Sequence, residues 1–267
     1  MKEQKLDEQV NEIKFLEDCL LVDNSVLVLG DIHIGYEEHI FQNGIFPRVQ
    51  LKEIFEKLDR VFKNLKEEKV SIKKIILLGD LKHEFGGISD SEWRETLQFL
   101  DYLGKKVHEK NRLSNNKKII LIKGNHDNIL GPILSKRGIK ARDYYKIRNL
   151  CFAHGNKMFK PCFEKTNILI MGHLHPAVTL LDKYKQEKFK CFLKGKWKGK
   201  LVYVLPSFSP ISFGYDVSSL KQSDESAGFF IVDDKSLKNF EIFVYNYKDK
   251  KIYDFGTIKK LIRKSLY

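Results

Sequence analysis

The chain has 267 residues, of which 42% are hydrophobic and 31% are charged, a composition typical of a globular protein. Its formal net charge of +13 favours polyanionic partners such as nucleic acid, or anionic substrates, although lysine-rich surfaces also arise without such partners. No apolar run reaches the ~18 residues of a membrane helix, and the charged start "MKEQKLDEQVNEIK" has no signal core. We therefore expect a cytoplasmic protein with no membrane partner.

Short apolar runs rich in isoleucine, valine and leucine predict buried strands, and most of them end at a glycine. In chain order these runs are "SVLVLG" (25–30), "KKIILLG" (73–79), "KKIILIKG" (117–124), "NLCFAHG" (149–155) and "NILIMG" (167–172). Two helices are predicted between the first three runs. The first, over 49–69, has one apolar face, and the second, over 89–106, opens with a Ser89–Glu92 capping-box spacing. Alternating strands and helices indicate an α/β fold with a largely parallel sheet.

After residue 176 the pattern changes to strand-like pieces separated by turns, such as "KFKCFLKG", "KLVYVLP", "GFFIVD" and "FEIFVYNYK". They predict a second sheet, mixed or antiparallel, packed on the first. Residues 182–200 are rich in lysine and are expected to form an exposed hairpin. The basic tail, about 248–267, is expected to be a short helix or an extended segment. No linker or repeat is evident, so a single domain over 1–267 is expected.

The chain contains four cysteines, and they are scattered: Cys19, Cys151, Cys162 and Cys191. They form no CxxC pair, which argues against a cysteine zinc site. We expect reduced thiols in a cytoplasmic protein.

Side chains that can bind a metal follow or end each of the five apolar runs. They are Asp31 and His33, then Asp80 and His83, then Asn125, His126 and Asp127, then His154, and finally His173 and His175. Each short motif alone also occurs in turns and caps. Ligand sites form at the carboxyl ends of parallel strands, however, and five such motifs in order indicate one shared site. Carboxylate, imidazole and amide groups suit divalent ions such as manganese, iron or zinc.

The ordered set "GDIH", "GD", "GNHD", a later histidine and "GHLH" resembles the calcineurin-like metallophosphoesterases over roughly residues 25–176. The resemblance implies a four-layer α-β-β-α fold, in which a two-sheet sandwich is flanked by helices. Within that superfamily, "GDLKHEFGG" (79–87) and "FLKGKWKGKLVYVLPSFSP" (192–210) are most similar to the small archaeal and bacterial branch related to SbcD and PdeM.

The resemblance further implies a site for two divalent metal ions, of which manganese is the first candidate and iron, zinc, nickel or magnesium are alternatives. Asp31, His33 and His175 would hold the first ion. Asn125, His154 and His173 would hold the second. Asp80 would bridge both, which suits a group with two oxygens.

Three further residues are catalytic candidates by the same resemblance. His126 is expected to face the phosphate, and either to stabilise the transferring group or to protonate the leaving oxygen. Asp127 is expected to accept a hydrogen bond from His126 and orient its ring, with a turn role as the alternative. His83 is expected to orient the substrate strand or the leaving group, or else to have a supporting structural role. The neighbouring Lys82 would meet phosphate or be solvated.

The predicted function is metal-dependent hydrolysis of phosphodiester bonds, by a nuclease or nucleotide phosphodiesterase linked to nucleic-acid metabolism or repair. A phosphatase or cyclic phosphodiesterase acting on a metabolite or phosphoprotein is one alternative, and an inactive metal-binding scaffold is another. The expected substrate is a nucleic acid or nucleotide, and any ATPase partner would be a separate protein because the chain has no Walker motif. If Lys190, Lys194, Lys196, Lys198 and Lys200, or the basic tail, form a DNA-binding track, affinity for DNA should fall steeply as salt rises.

Overall fold

A computed structural model of the protein describes residues 12–41, 48–107, 118–182, 185–220 and 230–264. Most of the charged N-terminal segment and the last three residues of the basic tail lie outside these ranges. Within them, no helix is both long enough and apolar enough to cross a lipid bilayer.

The described strands are β1 (Ile13–Leu16), β2 (Cys19–Val22), β3 (Val26–Leu29), β4 (Lys74–Leu77), β5 (Ile119–Ile122), β6 (Ala141–Arg142), β7 (Tyr144–Ile147), β8 (Leu150–Ala153), β9 (Ile168–Met171), β10 (Pro176–Asp182), β11 (Lys185–Lys190), β12 (Phe192–Trp197), β13 (Lys200–Val204), β14 (Tyr215–Asp216), β15 (Glu241–Asn246) and β16 (Lys251–Thr257). The described helices are α1 (Tyr36–Ile40), α2 (Gln50–Glu67), α3 (Asp90–Val107), α4 (Gly131–Lys136), α5 (Lys160–Glu164), α6 (Asp234–Leu237) and α7 (Ile258–Lys264). Helices α2 and α3 confirm the two helices predicted from the apolar periodicity.

Among the described strands, the first large sheet has the order β1-β2-β3-β4-β5-β6. Its strands β3, β4 and β5 are parallel neighbours. The second large sheet has the order β16-β15-β12-β13-β9-β8-β7, with β8, β9 and β13 parallel. A small sheet pairs β10 with β11 and β14. The five predicted strand runs are thus divided between two sheets. The first sheet is antiparallel only at its β1-β2-β3 edge, whereas the second has antiparallel pairs on both sides of its parallel centre.

Three buried clusters show that the molecule has four layers. One cluster lies between the two large sheets and includes Val28 and Ile76 from the first and Phe152 and Ile170 from the second. Another packs the opposite face of the first sheet against α2, α3 and α4. The third packs the opposite face of the second sheet against α5, α6 and α7. This arrangement confirms the predicted α-β-β-α sandwich.

The apolar runs are unbroken because both faces of each central strand are buried. In β3, Leu27 and Leu29 face the helices while Val26 and Val28 face the second sheet. Since successive side chains of a strand point to opposite faces, a strand covered on both sides needs apolar residues at every position.

Two expectations for the C-terminal half are wrong. The lysine-rich stretch 182–200 is not one exposed hairpin, because β12 lies inside the second sheet and buries Phe192, Leu193 and Trp197. The described part of "GFFIVD" contains no strand and leads into α6. In the described part of the tail, both expected structures occur in succession, as β16 and then α7.

The expectation of reduced thiols is wrong for two of the four cysteines. Cys151 in β8 and Cys162 in α5 form a disulfide with a Cα–Cα distance of 5.6 Å. Cys19 and Cys191 are free and buried. Because disulfides are uncommon in reducing compartments, the cytoplasmic location stays a prediction that this bond does not support.

Candidate metal centre

The segments that follow β3, β4, β5, β8 and β9 meet at one end of the sandwich, where both sheets contribute side chains. Three groups of potential metal ligands lie there among the described residues, each with its ligand atoms within 4.8 Å of one another. His33, His83 and His126 form one of them, and the other two share Asp80. Of these two, the first contains Asp31, His33, Asp80 and His175, and the second contains Asp80, His154 and His173. Asp80 belongs to both, as the bridging assignment requires.

In the first group, Asp31 and His175 are the closest pair. Asp31 Oδ1 lies 3.0 Å from His175 Nε2, and His175 Nε2 lies 3.3 Å from His33 Nε2. His33 Nε2 also lies 3.8 Å from Asp80 Oδ2. Asp31, His33 and Asp80 are buried, while His175 is partly exposed. The four side chains therefore converge on one small volume that opens to solvent beside His175.

The second group is centred on His154. Its Nε2 lies 2.9 Å from His173 Nδ1, 3.0 Å from Asn125 Oδ1 and 3.4 Å from Asp80 Oδ2. The other ring nitrogen, His154 Nδ1, lies 2.8 Å from the Leu78 carbonyl oxygen and donates to it, since a carbonyl only accepts. This bond leaves Nε2 as the nitrogen that can bind a metal, with the amide oxygen of Asn125 beside it.

The backbone is strained at four of the seven residues that would bind metal. His33, Asp80, His173 and His175 all have positive φ angles, between 47° and 65°. Residues other than glycine seldom adopt this left-handed conformation, and its cost is tolerated mainly at functional sites. The left-handed conformation turns the chain sharply after the strand, so that each of these side chains reaches the shared volume.

Two glycines make room for the carboxylates. An added Cβ at Gly124 would overlap the Asp80 carboxylate, and one at Gly172 would overlap the Asp31 carboxylate. The main-chain N–H of His173 donates to Asp31 Oδ1 and Oδ2, at 3.1 and 3.0 Å. The carboxylates therefore lie directly against the main chain of a neighbouring strand end, which explains the glycines that end two of the five apolar runs.

The centre is built to keep two carboxylates ionised. Burial alone raises the pKa of Asp31, but the neighbouring His175 outweighs it and the pKa lies below its usual value. Burial likewise opposes the ionisation of Asp80, yet hydrogen bonding from His154 brings its pKa well below the usual range. Burial lowers the pKa of His154, but its contact with Asp80 raises it to about 9. Buried negative charge among imidazoles needs cations, which fits divalent metal ions.

His126 lies at the edge of the centre with one ring nitrogen held by the protein. Its Nδ1 donates to the His83 carbonyl oxygen at 2.5 Å, and its main-chain N–H donates to Asp80 Oδ1 at 3.0 Å. The free Nε2 lies 4.0 Å from Asp80 Oδ2. The ring therefore presents Nε2 toward Asp80, and its role toward a phosphate stays a prediction.

The comparison with known protein families agrees with this geometry. The family model described as calcineurin-like phosphoesterase matches residues 25–191, which is more than half of the chain. The chain belongs to the calcineurin-like phosphoesterase family. Members of this family use divalent metals, so the protein is a metallophosphoesterase, a hydrolase that acts on phosphoester bonds.

One solved structure shows the same fold. The Pseudomonas putida nuclease MPE is 18% identical, with a TM-score of 0.58, and the match covers 92% of this chain and 96% of that one. The Escherichia coli phosphoesterase Yfce is 14% identical, with a TM-score of 0.40, over 87% of this chain and 98% of that one. No curated protein sequence matches the chain.

The hydrogen bond predicted between Asp127 and the His126 ring does not form. Asp127 Oδ1 instead accepts from the Leu81 N–H and Oδ2 accepts from the Gly124 N–H, both at 2.9 Å. Burial and the nearby Asp80 raise the pKa of Asp127 to about 6. Asp127 therefore joins the segments that follow β4 and β5, which agrees with the alternative turn role.

His83 lies beside the centre and connects its two sides. Its Nδ1 lies 3.4 Å from His33 Nδ1, while its carbonyl oxygen accepts the bond from His126 described above. Burial and the nearby His126 lower the pKa of His83 to about 4. These contacts fit the supporting role that was the alternative for His83, and its role toward substrate stays a prediction.

Both expectations for Lys82 are wrong, because it is fully buried and donates to the Glu84 carbonyl oxygen. Lys190 does not belong to an exposed basic track either. It donates to the main-chain oxygens of Ser207 and Ser209, and burial lowers its pKa to about 7. Lys196 and Lys198 are exposed, whereas the remaining two lysines of the track are partly buried.

Several supporting residues have no sequence signal that would have identified them. Gln50, at the start of α2, donates to the His33 carbonyl oxygen at 2.7 Å and accepts from the Gly35 N–H at 3.1 Å. The Ser207 hydroxyl donates to the Asp31 carbonyl oxygen at 2.7 Å. These bonds hold the strained turn over residues 31–35, but they join segments far apart in the chain.

Proposed function

We propose that the protein is a two-metal phosphodiesterase that acts on nucleic acid or nucleotides, with manganese as its preferred ion. The observation that carries the proposal is the position of Asp80, whose carboxylate belongs to both ligand groups. Asp31, His33 and His175 would hold one ion, and Asn125, His154 and His173 the other. When bound, such a pair of cations neutralises charge on the phosphoryl oxygens and lowers the pKa of water.

His126 is the proton donor or electrostatic partner in this proposal. Because the His83 carbonyl accepts from Nδ1, a neutral His126 ring has an unprotonated Nε2, and only the imidazolium can donate from it. A protonated Nε2 would bind a phosphoryl oxygen or transfer its proton to the leaving oxygen. The ring is 23% exposed, so a substrate can reach it from solvent.

Preference for a nucleic-acid or nucleotide substrate is supported by the charge of the whole chain. The net charge of +13 favours a polyanion. Exposed lysines such as Lys196 and Lys198 are available for phosphate contacts. Such contacts would make binding weaken as salt concentration rises.

The test compares a diester with a monoester. Metal-free protein is assayed with bis-p-nitrophenyl phosphate and with p-nitrophenyl phosphate, in the presence of manganese, magnesium, zinc or nickel. We expect manganese-dependent hydrolysis of the diester, with at least a ~100-fold loss in Asp80→Ala because several kcal/mol of transition-state stabilisation disappear. The matched control is Asp143→Ala, which removes an exposed carboxylate between β6 and β7.

Each other outcome changes the proposal. Preference for the monoester would indicate a phosphatase, and metal binding without turnover of either ester would indicate an inactive scaffold. An Asp80→Ala protein with unimpaired activity would rule out the two-metal mechanism.

A further inference from the structure

A run of rings extends from the metal centre toward solvent. His83 has its ring centroid 5.4 Å from His33, 4.3 Å from Tyr36 and 5.5 Å from His126. Phe85 ends the run, with its centroid 5.4 Å from His126 and its plane at 87° to it. The Phe85 ring thus lies next to the group that would contact the phosphate.

Phe85 is 60% exposed, although it is apolar and lies beside a functional site. The loop that carries it is anchored by the buried Glu92, whose Oε1 accepts from the N–H groups of His83 and Glu84 at 3.1 and 2.8 Å. The loop is held on its other side where the Ser89 N–H donates to Glu92 Oε2 at 3.2 Å. The exposed ring of Phe85 is therefore carried by a loop that is hydrogen-bonded at both ends.

The space beside Phe85 is open. A Cβ added at the adjacent Gly86 would meet no atom within 4 Å. Because Phe85 itself is 60% exposed, a flat group that is attached to the phosphate could lie against its ring. Exposed apolar groups at the edge of a site commonly contact ligand.

We propose that Phe85 stacks on an unpaired nucleobase next to the scissile phosphate. The inference rests on the proposed phosphodiesterase function and adds the substrate class, a single-stranded nucleic acid. Every base has a flat π face, and stacking on an aromatic side chain is sequence-tolerant. A phosphoserine has no ring, and the saturated ring of a sugar phosphate has no π face to stack on Phe85.

The experiment uses two single-stranded oligonucleotides of equal length, one of thymidine and one of abasic tetrahydrofuran residues, with manganese. They share the phosphodiester backbone and differ in the bases. We expect wild type to cleave the thymidine strand with the higher kcat/KM, and Phe85→Ala to lower that value about fivefold to a hundredfold. Cleavage of the abasic strand should be nearly unchanged in the variant. Phe85→Trp should retain the preference, and Phe85→Leu should lose it.

The matched control is Tyr247→Ala, which removes another exposed ring, in the turn after β15. Equal cleavage of the two strands by wild type, or an equal effect of Phe85→Ala on both, would overturn the stacking proposal. A Phe85→Leu protein that keeps the wild-type preference for the thymidine strand would also overturn it. Hydrolysis of bis-p-nitrophenyl phosphate by a protein that cleaves neither strand would overturn the stacking proposal alone. Failure to hydrolyse any diester would overturn the proposed function as well.

Discussion

Gly124 lets the Asp80 carboxylate lie against the main chain of the segment that follows β5. Since a Cβ there would overlap Asp80, any larger residue must displace the carboxylate that both ligand groups share. The sequence shows only that a glycine precedes "NHD". The reason for it is the proximity of Asp80, which comes from a different strand.

We expect Gly124→Ala to weaken manganese binding at least tenfold, because the displaced carboxylate can no longer face both groups. Isothermal titration of manganese into metal-free protein measures this. The matched control is Gly104→Ala in α3, where an added Cβ meets nothing within 4 Å. This control should bind manganese normally and gain about 0.5–1 kcal/mol of stability from helix propensity. Normal manganese binding by Gly124→Ala would contradict the role assigned to this close approach.

The first turn of α3 has two roles: it caps the helix, which the sequence predicted, and it supports the loop beside the metal centre, which the sequence did not. The Glu92 N–H donates to Ser89 Oγ at 3.1 Å and the Ser89 N–H donates to Glu92 Oε2, which confirms the predicted capping box. Glu92 also holds the main chain of His83 and Glu84, and so positions the carbonyl oxygen that orients His126. A helix cap thereby becomes a support of the candidate active site.

We expect Glu92→Ala to lower kcat about tenfold while manganese affinity stays within about twofold, because the loop loses three acceptor bonds and His126 loses its orientation. Steady-state kinetics on bis-p-nitrophenyl phosphate and manganese titration separate these effects. Gln98→Ala, an exposed position on the same helix, is the control. Loss of thermal stability with unchanged kcat would show that Glu92 acts only as a helix cap.

The disulfide joins β8, which leads to His154, to the short helix α5. A cross-link that closes a loop of this size, with a sequence separation of 11, stabilises a fold by about 3 kcal/mol, mainly by restricting the unfolded chain. We therefore expect dithiothreitol to lower the Tm of wild type and to leave the Tm of a Cys151→Ala variant unchanged. Thiol titration under denaturing conditions should find two free thiols, Cys19 and Cys191. Four free thiols in protein purified without reductant would contradict the bond.

At the scale of the whole molecule, the metal centre joins the two large sheets. Asp31, Asp80 and Asn125 follow strands of the first sheet, whereas His154, His173 and His175 follow strands of the second. Bound metal would therefore connect the two halves of the sandwich and stabilise their packing as well as supply chemistry.

We expect saturating manganese to raise the Tm by about 5–10 °C, since ligand at 100 times its Kd adds about 2.7 kcal/mol to the stability of a protein of this size. Chelation with EDTA should reverse the shift. Differential scanning calorimetry of wild type, Asp80→Asn and the exposed control Asp143→Asn measures it. The shift should be absent only in Asp80→Asn, and a manganese shift of equal size in Asp80→Asn would contradict the shared-ligand assignment.

The sequence by itself determined the helices α2 and α3, the central strands and the metal-binding residue types at their ends. These features depend on local periodicity and on short motifs, which a single chain displays directly. The resemblance of the ordered motifs to a known family added the four-layer fold and the grouping of ligands.

Only the tertiary structure decided which strands belong to which sheet, the bonding of Asp127, the burial of Lys82, the main-chain bonds of Lys190 and the support from Gln50 and Ser207. Each of these depends on contacts between segments distant in sequence. The same hydrophobic run fits either sheet of a sandwich when both of its faces are buried. Likewise, a polar residue beside a motif can turn inward or outward, according to which main-chain groups lie opposite it.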